Sequence, residues 1–150
     1  MLREKILGAW RLVSYVEQDD RGGPVTFPLG RDAVGLIIYT SDGYMSAQLM
    51  RSGRHAYEQP DIAGGTTAQA AAAAEGYLAY SGPYDVDESA SVVHHRVAVS
   101  LLPNWLGTVQ LRHGSLKDNQ LTLVAEIPLR EAIIRSTLVW ARAPDHHPSG

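Results

Sequence analysis

The chain has 150 residues, of which 45% are hydrophobic and only 19% charged, with a formal net charge of -3 and a pI near 6.0. That balance argues against nucleic-acid binding, which needs a positive field, and no run approaches the roughly 18 apolar residues of a membrane-spanning helix. The absence of cysteine excludes disulfides, thiolate metal sites and cysteine nucleophiles.

A length of this order is one domain by default, here residues 1–150. The start, "MLREKILGAW", sets charges among its apolar residues and lacks a signal-peptide core. Together with the missing cysteines, this gives the expectation of a cytoplasmic protein. Residues 8–18, "GAWRLVSYVEQ", alternate Trp10, Leu12, Ser14 and Val16 against Arg11, Val13 and Tyr15, as a strand does. The Gly/Pro loop "DDRGGPVTFPLG" follows, with weak pairing expected around Val25 to Phe27. Next, "DAVGLIIYTSDGYMSAQLM" reads as two strands joined at Ser41-Asp42-Gly43, where glycine can take the positive φ of a hairpin turn.

The alanine-rich run "GGTTAQAAAAAEGYLAYSG" breaks this period-two rhythm. Thr66 or Thr67 can cap a helix over about 68–80, ended by Gly82 and Pro83. On that helix Tyr77 and Tyr80 share a face, and its smooth surface suits packing against a sheet or plugging one end of a barrel. Strands resume in "PYDVDE", "SASVVHHRVAVSLL", "GTVQLRHGSL", "NQLTLVAEI" and "AIIRSTLVWARA", with short polar turns around Asp87 to Ala90 and Lys117 to Asn119. Residues 143–150, "APDHHPSG", read as a frayed tail. About eight strands with such short connections leave no room for helical crossovers, so the fold is mainly β and antiparallel. A closed barrel is the expectation; a curled sandwich gives the same pattern.

Gly8-Ala9-Trp10 is the Gly-x-Trp of lipocalins. With "PLGRDAVGLIIYTSDGYMSAQL", "GYLAYSGPYDVDE", "VVHHRVAVSLLPNWLGTVQLRHGSL" and "STLVWARA" it makes nearly the whole chain resemble the bacterial and fungal lipocalin-like domain family. The resemblance implies an antiparallel lipocalin-like β-barrel of about eight strands, with one helix after the early strands. It also implies binding of a small apolar molecule, or a part in cyclisation or isomerisation within a natural-product pathway. The chain departs from secreted lipocalins in its missing cysteines and in a helix at mid-chain. By the same resemblance Trp10 packs against an arginine, Arg135 or Arg142, which closes one barrel end.

His95 alternates in phase with Val93, Val97, Val99 and Leu101, and His94 with Val92, Arg96 and Ala98. If the more apolar face lines the interior, His95 looks inward, where an imidazole can complete a core hydrogen bond, contact a ligand or move a proton. On the next strand Val109, Leu111 and His113 share one face and Thr108, Gln110 and Arg112 the other; neither direction is fixed. Tyr44, Ser46 and Gln48 form either a polar exterior or a set of pocket groups. Tyr77, Tyr80 and Tyr84 can bury ring area while a hydroxyl reaches a polar atom, and Trp105 in "LPNWLG" suits a rim position. The candidate ligand-binding set is therefore Tyr77, Tyr80, Tyr84, His95, Trp105 and His113, with His95 the catalytic candidate. No metal and no cofactor are expected, because no ligand spacing or phosphate-binding loop is present.

The leading expectation is binding of a small hydrophobic or weakly polar organic molecule in the barrel. One alternative is a cofactor-independent isomerase or cyclase acting on a carbonyl compound, with His95 exchanging the proton. Another is a structural or protein-interaction barrel with a filled core. Homo-oligomerisation stays open.

Overall fold

A computed structural model describes residues 1–148; of the expected tail, Ser149 and Gly150 lie outside the described residues. Strands β1 (Gly8–Asp19), β2 (Val34–Tyr39), β3 (Tyr44–Met50), β4 (Tyr77–Asp87), β5 (Val92–Arg96), β7 (Val109–Lys117), β8 (Gln120–Leu129) and β9 (Ala132–Arg142) each pair antiparallel with the next. The ring closes where β9 returns to β1. A two-residue strand, β6 (Val99–Ser100), pairs on the side with β4. The fold is a closed antiparallel eight-stranded barrel. Closure leaves no free sheet edge and creates an interior.

Inward residues alternate along each strand, as Ile37 and Tyr39 on β2, Met45, Ala47 and Leu49 on β3, and Leu121, Leu123 and Ala125 on β8 are all buried. Tyr44, Ser46 and Gln48 accordingly point out, and Ser46 accepts a hydrogen bond from Ser81 on the exterior. Strand β1 departs from simple alternation. Its register against β9 slips between Leu12 and Ser14, a bulge that leaves Val13 exposed and restarts the alternation one residue later. Tyr15 and Glu17 therefore follow Trp10 and Leu12 into the barrel, opposite Leu138 and Ser136 of β9. The expected grouping of Ser14 and Val16 with Trp10 is corrected by this slip.

The alanine helix α2 is shorter than expected, Thr67–Glu75, and starts from a complete capping box between Thr66 and Gln69. It stops at Gly76. Residues 77–87 instead continue as β4, pairing with β3 from Met50↔Tyr77 to Tyr44↔Pro83. The period-two set Leu78, Tyr80, Gly82, Tyr84 and Val86 buries more surface against the barrel than a solvent-exposed helix would, so tertiary burial overrides the alanine-led propensity. Tyr77 and Tyr80 thus lie on opposite faces, not on one helical stripe, and Gly82 and Pro83 sit within a strand. Nor does α2 plug the barrel, since none of its residues is buried.

The plug comes instead from α1 (Leu2–Lys5) and the residue after it: Ile6 is fully buried, and Leu2 packs over Gly114. Trp10 stands beneath, its Nε1 donating to the Ile6 carbonyl at 2.9 Å. Arg142 lies 4.1 Å over the Trp10 ring and donates to the carbonyls of Lys5 and Leu7. Arg142, not Arg135, is the partner of Trp10; Arg135 is occupied by Glu126 on the exterior.

The expected strand 89–102 breaks after Arg96. Gly82 allows it: a Cβ there would lie 1.8 Å from the Arg96 carbonyl oxygen, so only glycine lets the 96–98 crossover pass this close. Val97 stays buried, but Val99 and Leu101 leave the interior phase of His95 and are exposed. At the β7–β8 turn, Asp118 and Asn119 have φ of 50° and 62°. Asn119→Val is expected to cost about 1–2 kcal/mol, because a β-branched residue resists that region. A lowered urea midpoint at unchanged slope is the check.

Candidate functional site

The barrel interior is not filled. A cavity of about 300 Å³ is walled by apolar side chains, among them Ile37, Leu49, Leu78, Leu123, Leu138 and Trp140. Its rim holds the half-buried Pro28 and Trp105 with the exposed Glu75 and Ile127, at the end opposite the plug of Ile6 and Trp10. Polar groups enter the wall at few places: Tyr15 from β1, Tyr80 from β4, Gln110 and Arg112 from β7, and Ser136 from β9.

Behind this wall stands a buried hydrogen-bonded trio. His95 is fully buried; its Nε2 meets the Tyr39 hydroxyl at 2.6 Å and its Nδ1 the Tyr80 hydroxyl at 2.8 Å. Burial holds the imidazole pKa well below its ordinary value, and the nearby Arg112 adds to the effect. The ring is therefore neutral, with one nitrogen donating and the other accepting. The same burial pushes Tyr39 well above the ordinary phenol range and raises Tyr80. Tyr15 is pushed up to about 12, by burial first and then by the charge of Glu17. All three hydroxyls stay protonated at neutral pH. Glu17 itself accepts from the Ser136 hydroxyl at 2.5 Å.

The candidate residues separate by position. Tyr80 and Trp105 line the cavity and meet edge to face, ring centroids 5.1 Å apart. His95 lies one layer behind, touching the cavity through Tyr80, so a proton moved between His95 and a bound molecule has to pass that hydroxyl. Tyr84 is inward but near the closed end, where its hydroxyl donates to the Thr40 carbonyl and Arg3 covers its ring. Tyr77 is outside the barrel, donating to Gln48 Oε1 at 2.6 Å beneath Arg54. His113 is on the outer face of β7 and exposed; it cannot join His95. Among the described residues no His, Asp and Glu side chains converge as a metal site.

Arg112, Gln110, Tyr15 and Tyr39 were not singled out from the sequence. The signal for the first two lay in strand pairing. Cross-strand partners share a face, and β5 pairs with β7 through Val93↔Arg112 and His95↔Gln110. An inward His95 thus carries Gln110 and Arg112 inward and turns Leu111 and His113 out.

A closed eight-stranded barrel, plugged at one end and hollow toward the other, defines a lipocalin-like barrel. The lipocalin-like domain family model matches residues 7–143, and the chain belongs to that family. It is also similar to the 4'-hydroxy-3'-methoxypropiophenone carrier protein ppsC of Aspergillus oryzae, at 40% identity in an alignment that covers 67% of this chain and 97% of that protein.

Proposed function

We propose that the protein binds one small, mostly apolar organic molecule inside the barrel, in the manner of a carrier, and that aromatic ketones are the class it takes. The observation that carries this reading is the cavity of about 300 Å³ with apolar walls and a few convergent polar groups, the usual constitution of a small-molecule site. The ligand named for the fungal carrier, an aryl ketone with a ring hydroxyl, has matching chemistry: a flat apolar body for the Leu and Trp walls, and oxygens for Tyr80, Gln110 and Arg112. Apolar contact supplies most of the affinity and the polar groups set orientation. A cytoplasmic location belongs to the same reading, supported by the cysteine-free composition; no helix among the described residues is long and apolar enough to cross a membrane.

Calorimetric titration with propiophenones and acetophenones tests the proposal, and saturable binding of one molecule per chain is the expected result. Ala125→Trp places an indole into the cavity from a position on its wall. It is expected to weaken binding at least about tenfold while the chain stays folded by circular dichroism. Equal affinity in the filled variant would place the ligand elsewhere and defeat the reading.

The isomerase or cyclase reading draws support from the Tyr80–Arg112 pair, since two donors facing one cavity suit a developing enolate oxygen. Its test is turnover: a carbonyl substrate recovered chemically unchanged, or turned over at a rate indifferent to Tyr80→Phe, counts against it.

A further inference from the structure

We propose that the cavity takes its ligand as an oxyanion, the ionised oxygen of a phenol, enol or carboxylic acid, held by the Arg112 guanidinium and the Tyr80 hydroxyl. This rests on the binding reading above and narrows it to acidic ligands.

Arg112 projects inward from β7 onto the cavity wall. A guanidinium carries five N–H donors, yet among the described residues this one has only the Leu111 carbonyl as a hydrogen-bond acceptor, with the Trp105 ring centroid 5.8 Å away. The ion pairs of the described residues join Arg21 to Glu131, Arg96 to Asp85 and Arg135 to Glu126, all on the surface. Arg112 is in none of them. Its surroundings offer no directly paired negative charge. Tyr15 from β1, Tyr39 from β2 and Tyr80 from β4 are protonated phenols, and His95 from β5 is neutral. The inward carboxylate of Glu17 from β1 accepts from Ser136 of β9 and forms no ion pair with Arg112, and Glu75 is exposed at the rim. A half-buried cation on a largely apolar wall, with no carboxylate paired to it, gains from an incoming anion.

The hydroxyl protons point the same way. The fully buried Tyr39 hydroxyl has His95 Nε2 as its partner. If Nε2 carried the proton, the Tyr39 hydrogen would be left without an acceptor in a fully buried position, a costly arrangement. Tyr39 therefore donates to Nε2, and Nδ1–H donates to the Tyr80 oxygen. The Tyr80 oxygen then acts as the acceptor toward His95, and its own hydrogen is free. Since Tyr80 lines the cavity, that hydrogen is offered to the ligand beside the guanidinium.

The experiment compares para-hydroxyacetophenone with its methyl ether, para-methoxyacetophenone, by calorimetry and by the ultraviolet band that distinguishes phenolate from phenol. The expected result is a preference of about tenfold or more for the hydroxy compound. A phenolate band should appear on binding at a pH where the free compound is neutral. Arg112→Gln should collapse the preference and the band, and Arg112→Lys should partly restore both, with thermal melts showing each variant folded. A hydroxy compound that binds as the neutral phenol, no tighter than the ether and indifferently to Arg112→Gln, overturns this inference and leaves cavity binding standing. Binding of neither compound overturns the carrier reading as well.

Discussion

Trp10→Ala is expected to cost about 3–5 kcal/mol, the range for removing a large buried aromatic side chain. Trp10 is fully buried, and three layers depend on it. Its indole fills the closed end, its N–H satisfies the Ile6 carbonyl that ends α1, and its face carries the Arg142 guanidinium. Arg142 in turn ties the last strand to the carbonyls of Lys5 and Leu7 before the first. Loss of the ring thus opens a void and loosens the β1–β9 seam at one stroke. Trp10→Phe keeps most of the apolar area and the stacking surface but leaves the Ile6 carbonyl without its donor, and should cost distinctly less. Urea unfolding of the two variants checks the order. A Trp10→Ala protein as stable as the parent would remove the plug from the account.

The second large effect belongs to His95. His95→Leu leaves the Tyr39 and Tyr80 hydroxyls without their shared partner, at about 1–3 kcal/mol for each orphaned group, so a total loss of roughly 2–6 kcal/mol is expected. The parent should also carry a pH signature. Because burial depresses the folded-state pKa below the ordinary value of 6.5, the unfolded chain binds a proton that the folded chain refuses. The stabilisation from His95 is fully present above about pH 6.5 and declines as the pH falls through the window below it. The slope for one proton is about 1.4 kcal/mol per pH unit. His95→Gln, which can still donate and accept, removes this part of the slope. Urea midpoints measured between neutral and mildly acidic pH give the comparison; equal slopes in parent and variant would show that the imidazole is not the group responsible.

The barrel itself was legible because its signals are local and repeated. Period-two runs, the Ser41-Asp42-Gly43 turn and the Lys117–Asn119 turn each declare a hairpin, and the Gly-x-Trp start with its ordered companions points to the family. What escaped the sequence depends on single-residue offsets. One bulge at Val13 moves Tyr15 and Glu17 from outside to inside, and nothing in the composition of β1 marks it. Alanine propensity carried the helix past Gly76, although Leu78, Tyr80, Tyr84 and Val86 already alternate as a strand does. The interior placement of His95 was readable from its valine neighbours. The inward turn of Arg112 was not, because it rests on the β5–β7 register. That register runs through the 3₁₀ turn at Pro103–Trp105 and the Gly82 crossover, where chain length gives no guide to which residues face each other.

The same offsets decide which residues face the cavity. Tyr77 and His113 stood in the same candidate set as Tyr80 and His95, yet Tyr77 and His113 lie on the outer side of their strands. Paired substitutions should therefore differ sharply: Tyr80→Phe alters ligand affinity or selectivity, and His113→Ala leaves both within error of the parent. A calorimetric series on the two variants with one aryl ketone suffices to check this.

The central claim is that the hollow of the barrel is the binding site, and a crystal structure of the protein soaked with an aryl ketone tests it most directly. The account predicts density for one flat molecule between Trp105, Leu123 and Leu138, with an oxygen within hydrogen-bond distance of Tyr80 and Arg112. A cavity collapsed by its own side chains, or a ligand seated only on the outer face of the sheet, would contradict it.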